Sequence, residues 1–190
     1  MRTFFCFIRH GETNWNQERR IQGRIDNILN ETGKNQAKEV GELLKKEGIN
    51  WDIIITSPLK RAYETATIIQ SILQPKLEVI AIPAFQEREF GKAEGMAISK
   101  EIFDRIVVDE VDGMEKSTTL QKRVKDATLD LARKYDGKHI IVVAHSHVIK
   151  GLLTQIDSNY TFRDKMANSA MYLFEVENDK VRLIKEKRRN

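Results

Sequence analysis

The chain has 190 residues, 41% hydrophobic and 32% charged, with a formal net charge of +4, which suits one domain with a buried core. No run of about 18 apolar residues occurs, so a transmembrane helix is excluded, and the apolar start Phe4-Phe5-Cys6-Phe7-Ile8 is too short, and lacks the small-residue cleavage site, for a signal peptide. Both signs of charge are mixed along the chain, without the basic face and aromatic partners that nucleic-acid binding wants.

Lys185, Lys187, Arg188 and Arg189 form the only dense basic cluster and read as a solvated tail. The single cysteine, Cys6, cannot form an internal disulfide. It reads as a small buried hydrophobe, which fits a reducing cytoplasm.

In chain order, Thr3 to Ile8 is an almost continuous apolar run, as are Ile53-Ile54-Ile55 and Ile140-Ile141-Val142-Val143. Such runs suit strands buried on both faces of a parallel sheet. Between the first two, Thr32 is expected to cap a helix with Ala37, Val40 and Leu44 on one face, ended by Gly48. Ser57-Pro58 reads as the next helix start, with Ser as the cap and Pro at the first helical position. Leu59, Ala62, Ala66, Ile69 and Leu73 share its face, and Pro75 stops it.

The stretch from 83 to 116 has weak periodicity. It reads as an excursion over the sheet edge, with a short helix near 97 to 106. Ser117 opens a helix carrying Leu120, Val124, Ala127 and Leu131. Another spans about 147 to 156, with Leu152, Leu153 and Ile156. Ala170 to Val176 and Val181 to Ile184, joined through Asn178-Asp179, form a closing hairpin. The order predicts an α/β fold, a three-layer α/β/α sandwich with a mostly parallel central sheet. Residues 1–190 make one domain with a short lid-like insertion at about 83–116.

Three polar clusters fall at the carboxyl ends of predicted strands, where open α/β sheets place ligands. They are Arg9-His10-Gly11-Glu12-Thr13, Ser57-Pro58-Leu59-Lys60-Arg61 and Ala144-His145-Ser146-His147. Arg9 and Arg61 carry forked donors for phosphate oxygens. His10 and His145 offer imidazole nitrogens. Gly11 lets the backbone turn beside a ligand. The N–H groups opening the helix after His145 point toward an anion. Taken singly, each has a bland reading: a surface Arg-His pair, a helix cap, a structural histidine. Together they read as a dianion pocket with a nucleophile inside.

These residues resemble the histidine phosphatase superfamily, also called the phosphoglycerate mutase-like family. The matching stretches are Arg9 to Thr13 with Asn16 and Gln22-Gly23; Ser57 to Ala62 with Thr65-Ala66; Glu87 with Gly91 and Glu94-Gly95; and Val143-Ala144-His145. The resemblance runs from Arg9 to Leu153, and the terminal hairpin also fits.

It implies a metal-independent phosphomonoester hydrolase acting on a small phosphorylated substrate, with no cofactor. His10 would become phosphohistidine. Arg9, Arg61 and His145 would hold the phosphoryl oxygens. Asn16, Gln22, Gly23 and the N–H of Ser146 would add binding contacts. Glu87 would give the leaving oxygen its proton. Arg9 and Arg61 should keep His10 neutral, and a backbone carbonyl would fix its tautomer. Glu89 would share a strand face with Glu87, and Glu94 is near, but the spacing to Gly91 and Glu94-Gly95 favours Glu87.

The sequence departs from the family pattern at Ser146 and His147, where many relatives have glycines, and at Ala93, where an aromatic residue often stands. His147 is a candidate substrate contact. The 97 to 116 segment is short and holds Asp104, Asp109, Glu110, Asp112 and Glu115. It shows no clear cations for a second acidic group, which argues for a phosphatase over a mutase. A metal site on His10, His145 and His147 is a third reading, disfavoured by the two arginines and by the lack of a completing carboxylate. A non-catalytic binder of phosphorylated ligands is a fourth. Membrane and nucleic acid are not expected partners, and the oligomeric state is not readable.

Overall fold

Alternate side chains of each apolar run face opposite sides of one sheet, and both sides are covered by helices. The computed structural model describes residues 1–187; Arg188, Arg189 and the Lys187 side chain of the basic cluster lie outside the described residues. The strands are β1 (Thr3–Arg9), β2 (Ile53–Thr56), β3 (Val79–Ala81), β4 (His139–Ala144), β5 (Met171–Glu177) and β6 (Lys180–Lys187). Their spatial order is β3-β2-β4-β1-β5-β6. The first four strands run parallel, while β5 is antiparallel to β1 and β6 to β5.

The helices are α1 (Asn14–Gln17), α2 (Glu31–Lys46), α3 (Lys60–Leu73), α4 (Lys100–Val107), α5 (Ser117–Lys134) and α6 (Ser146–Ile156). Phe5, Phe7, Ile53, Ile55, Ile140 and Val142 face α5 and α6. Cys6, Ile8, Ile54, Ile141 and Val143 face α2 and α3, against Val40, Leu44, Ala66 and Ile69. The three-layer sandwich expected from the sequence is present. A third, smaller cluster joins Ile21 to Phe90, Ala93, Ile102, Ile106, Val111 and Met114. It gives the 83–116 excursion a core of its own.

The caps at the helix starts differ from expectation, and two of them come from elsewhere in the chain. Asn30, not Thr32, caps α2: its Oδ1 accepts from Gly33 N at 2.8 Å. Ser57 does not cap α3, which begins at Lys60. The Lys60 N–H goes to Asp26 Oδ1 at 2.7 Å, and the Ser57 hydroxyl meets His145 Nε2 at 2.8 Å. At α5, Asp109 Oδ2 accepts from both the N–H and the hydroxyl of Ser117, at 2.9 and 2.7 Å.

The helix expected near 97–106 is α4, capped by Ser99 on Ile102 N at 3.2 Å. Strand β3 and the one-turn α1 are too short to show periodicity. Asn178 and Asp179 have φ of 51° and 58°, which matches the tight turn expected between β5 and β6.

Gly11 is also required by packing. Its Cα packs against the start of α2, where an added Cβ would overlap the Gly33 carbonyl; a Cβ on Gly33 would overlap the Glu12 backbone. Gly33→Ala is therefore expected to lower stability by about 1–3 kcal/mol through backbone displacement, read as a lower urea midpoint. An unchanged midpoint would show that this contact yields easily.

Candidate active site

The carboxyl ends of β1, β2 and β4 bring the three polar clusters together. His10 follows β1 and donates its N–H to Ala144 O at 3.0 Å. Its Nδ1 lies 2.7 Å from Gly11 O. A carbonyl can only accept, so Nδ1 carries the proton and Nε2 keeps its lone pair. That lone pair accepts from Arg61 Nε at 3.3 Å. The His145 ring stands 5.1 Å from the His10 ring, centroid to centroid.

Arg61 is completely buried, and three of its five N–H donors are engaged, one of them on His10. Nη2 donates to Gly23 O at 2.7 Å and Nη1 to Ile25 O at 2.9 Å. Gly23 thus holds Arg61 rather than lining the cavity. Arg9 donates through Nη1 to Met166 O, while its Nε is buried without a partner. His145 Nδ1 and His147 Nδ1 are likewise buried and unpartnered among the described residues. Buried polar atoms normally have a partner, so these three nitrogens mark places where one would be accommodated.

Glu87 is buried in the loop after a short 3₁₀ turn, Pro83–Phe85. Its Oε1 accepts from Arg88 N at 2.9 Å and its Oε2 from His147 N at 3.3 Å. One of the helix-opening N–H groups expected to face an anion is therefore taken by a carboxylate. Glu89 does not share a strand face with Glu87, because the segment is not a strand, and Glu89 is exposed. Glu94 accepts from Arg24 N at 2.9 Å, Phe90 N at 3.1 Å and Ile25 N at 3.2 Å, so it clasps two loops together.

Asn16 Oδ1 accepts from Thr13 N at 3.1 Å and from Asn168 Nδ2 at 3.2 Å. Gln22 Oε1 accepts from Thr13 Oγ1 at 3.0 Å and Asn27 Nδ2 at 2.8 Å, which leaves its NH₂ as the donor for the cavity wall.

A cavity of about 540 Å³ opens in front of His10. Arg9, His10, Asn16, Gln22, Glu87, Ser146 and His147 line it, whereas Arg61 and His145 stand behind. The sequence reading missed much of the remaining wall. Ile21, Phe90, Ile98, Phe103 and Ile106 make it apolar, and Arg20, Lys150, Arg163 and Lys165 add positive charge. The expectation that cations for a second acidic group are lacking is thus corrected. They come from α6 and the loops after α1 and α6, not from the 97–116 insertion. The one available signal was Lys150, a lone charge in the apolar run Val148 to Leu153. His147 does not turn toward a shared metal centre: its ring stacks on Phe162 and meets Phe90 edge-on, with centroids 5.1 and 5.0 Å away.

Burial dominates the electrostatics. It pushes the His10 imidazole well below its usual range, and Arg61 and Arg9 push it further. His145 and His147 are lowered well for the same first reason, with Arg61 and Lys150, respectively, as the next cause. Burial raises the Glu87 carboxyl, against the pull of the Arg88 N–H, Arg61, the His147 N–H and Arg9.

These shifts make stability depend on pH. Below about 6.5, the unfolded chain protonates three imidazoles that the folded chain keeps neutral. Stability should therefore fall with acidification, by up to about 1.4 kcal/mol per pH unit for each imidazole. Glu87, raised when folded, contributes in the opposite sense: its stability is present at low pH and lost as pH rises. Urea unfolding between pH 7.5 and 5.5 checks this, and a flat profile would contradict buried neutral histidines.

The sequence model of the histidine phosphatase superfamily (branch 1) matches residues 5–187. The chain is 41% identical over 154 residues to an uncharacterized phosphatase PhoE of Bacillus subtilis (strain 168), covering 81% of this chain and 77% of that one. It is 34% identical to a metal-independent phosphoserine phosphatase of Arabidopsis thaliana, over 81% and 68% of the two chains. In structure it resembles a phosphoserine phosphatase mutant of Entamoeba histolytica in complex with phosphoserine, with a TM-score of 0.82, 26% identity and coverage of 97% and 96%. The match over nearly the whole chain, on the fold and site described above, shows that this protein belongs to the histidine phosphatase superfamily and is a phosphatase.

Proposed function

We propose that this phosphatase hydrolyses small phosphomonoesters without a metal, through a phosphohistidine on His10. One observation carries the reading. The Nδ1–H of His10 is held by Gly11 O, so the Nε2 lone pair faces the same buried cluster as Arg61 and Glu87. In the first step Nε2 attacks phosphorus. The P–O bond to the leaving group breaks, and Glu87 gives that oxygen its proton. In the second step Glu87 takes a proton from water, water attacks phosphorus, and the P–N bond breaks. Inorganic phosphate leaves and His10 returns to its neutral form.

Burial suits both roles, since it favours a neutral imidazole and a protonated carboxyl. Arg9, Arg61 and His145, with Asn16, Gln22 and the Ser146 N–H, would hold the phosphoryl oxygens as charge spreads over them. Gly23 serves by anchoring Arg61. His147 would contact the leaving group from the cavity wall.

We read residues 1–190 as one domain, with 83–116 as the lid-like insertion that carries Glu87. Phosphoserine, the compound named for two relatives, is a first substrate to try. Buried Cys6 suits a reducing compartment such as the cytoplasm. Among the described residues no helix is long and apolar enough to cross a membrane.

Phosphate release from a panel of phosphomonoesters in EDTA tests the route. Turnover should survive EDTA and fall below detection in His10→Ala. Loss in EDTA, or retention in His10→Ala, would overturn the mechanism; conversion of a phosphomonoester into its isomer instead of release would show a mutase. Glu87→Gln should slow turnover of alkyl phosphomonoesters by about 10²–10⁴-fold. With 4-nitrophenyl phosphate, whose leaving group needs no proton, the same variant should release a burst of nitrophenolate equal to the enzyme and then stall. Steady turnover without a burst would remove Glu87 from the second step.

A further inference from the structure

The phosphoryl chemistry uses one end of the cavity and leaves unexplained the buried member of the remaining charged wall. Lys150 sits on α6 one turn beyond His147, and its side chain is only 6% exposed. It lines the same cavity as His10 and Glu87. An ammonium has three donors, yet among the described residues its hydrogen bond is a single long one, 3.3 Å to the Phe162 carbonyl. No carboxylate of the described residues forms a salt bridge with it. Glu87 and Asp164 attract it without a salt bridge, and burying a cation with no closer partner is costly. The apolar wall of Ile21, Phe90, Phe103 and Ile106 lies in the same cavity. A volume of about 540 Å³ is within the range that accommodates a drug-sized ligand, well beyond a phosphoryl group with a few carbons.

We propose that the cavity selects phosphomonoesters with an apolar body that carries a carboxylate, and that Lys150 takes this carboxylate and sets the preference. This rests on the phosphatase reading above and deepens it. A single amine beside a main-chain carbonyl suits a monoanion. A second phosphate would be better served by forked arginine donors, and Arg9 and Arg61 stand at His10's end of the cavity. Arg20 and Arg163 are more exposed and stand at the rim.

The charge on Lys150 is itself conditional. Burial first, then Arg9, lowers its pKa to about 8, while Glu87 and Asp164 oppose the shift. His147 faces it from the same helix and is kept neutral, in part by Lys150. Attraction for a carboxylate is therefore present below about 8 and lost above it.

The test compares 3- and 4-carboxyphenyl phosphate with their isosteric carboxamides, using kcat/KM so that the ratio within a pair cancels general losses. In the wild type at neutral pH, at least one acid should exceed its amide by about 10-fold or more. The ratio should fall toward one in Lys150→Met. In the wild type, which needs no variant to fold, it should also fall as pH rises through about 8. A wild-type ratio near one, a ratio kept in Lys150→Met, or one that stays flat with pH would overturn the proposal. If neither the acids nor the carboxamides are hydrolysed, or both are hydrolysed equally by His10→Ala, the phosphatase mechanism fails and this proposal falls with it.

Discussion

The hydrogen bond between His10 Nδ1 and Gly11 O is short-range in sequence, but the whole fold holds it in place. It decides which imidazole nitrogen bears a proton, and so which one can attack. The Gly11 carbonyl cannot drift, because the Gly11 N–H donates to Thr65 Oγ1 on α3 at 3.1 Å and its Cα rests on Gly33 of α2. From the other side, Asn168 Nδ2 donates to His10 O at 3.0 Å, and His10 N is tied to β4. Two helices, a neighbouring strand and the loop before β5 thus converge on one peptide unit. A loop this tightly bonded leaves the nucleophile little freedom to rotate, which is what preorganisation requires.

Desolvation is the common agent in the site. It leads the shift at His10, His145, His147 and Glu87 alike. Burial disfavours whichever form is charged, so it neutralises imidazoles by lowering them and a carboxyl by raising it. One environment therefore prepares a nucleophile and an acid together. The arginines reinforce the first effect and oppose the second, so Glu87 lies between two pulls. That balance suits a group that must release a proton in one step and recover it in the next.

The loop carrying Glu87 is secured by charges that do not enter the cavity. Arg88 is fully buried, pairs with Asp109 and donates to Glu115 O at 2.8 Å. Asp109 in turn caps α5 through Ser117. Arg123 of α5 grips Glu115 at 2.7 Å and also reaches the Ala84 and Glu87 carbonyls. The acidic residues of this insertion include two, Asp109 and Glu115, that hold α5 and the Glu87 loop in register. A buried ion pair is weak evidence for stability but suits the fixing of one arrangement among several.

Short-range patterns carried much of the fold. Runs of β-branched residues, helical spacing and a tight turn at Asn178-Asp179 are local, and the elements they predict are present. Their boundaries were less legible, since Asp26 and Asp109 cap helices more than seven residues away, and the Ser57 hydroxyl is shared between His145 and the Leu59 N–H just before α3. Arg9, His10, Glu87 and His145 could be singled out because strand ends concentrate ligands in this architecture. Asn168 and the apolar wall could not, and Lys150 showed only as a lone charge in an apolar run, because their meaning depends on which distant segments fold over the cavity. By itself, the sequence determined the class of fold and the chemistry gathered at its strand ends, since both follow from alternation along a chain. Only the tertiary structure decided which nitrogen of His10 is bare, which arginine donors are already committed, and which lysine loses its solvent. Those are properties of burial and of partners, and burial exists only once the layers have packed.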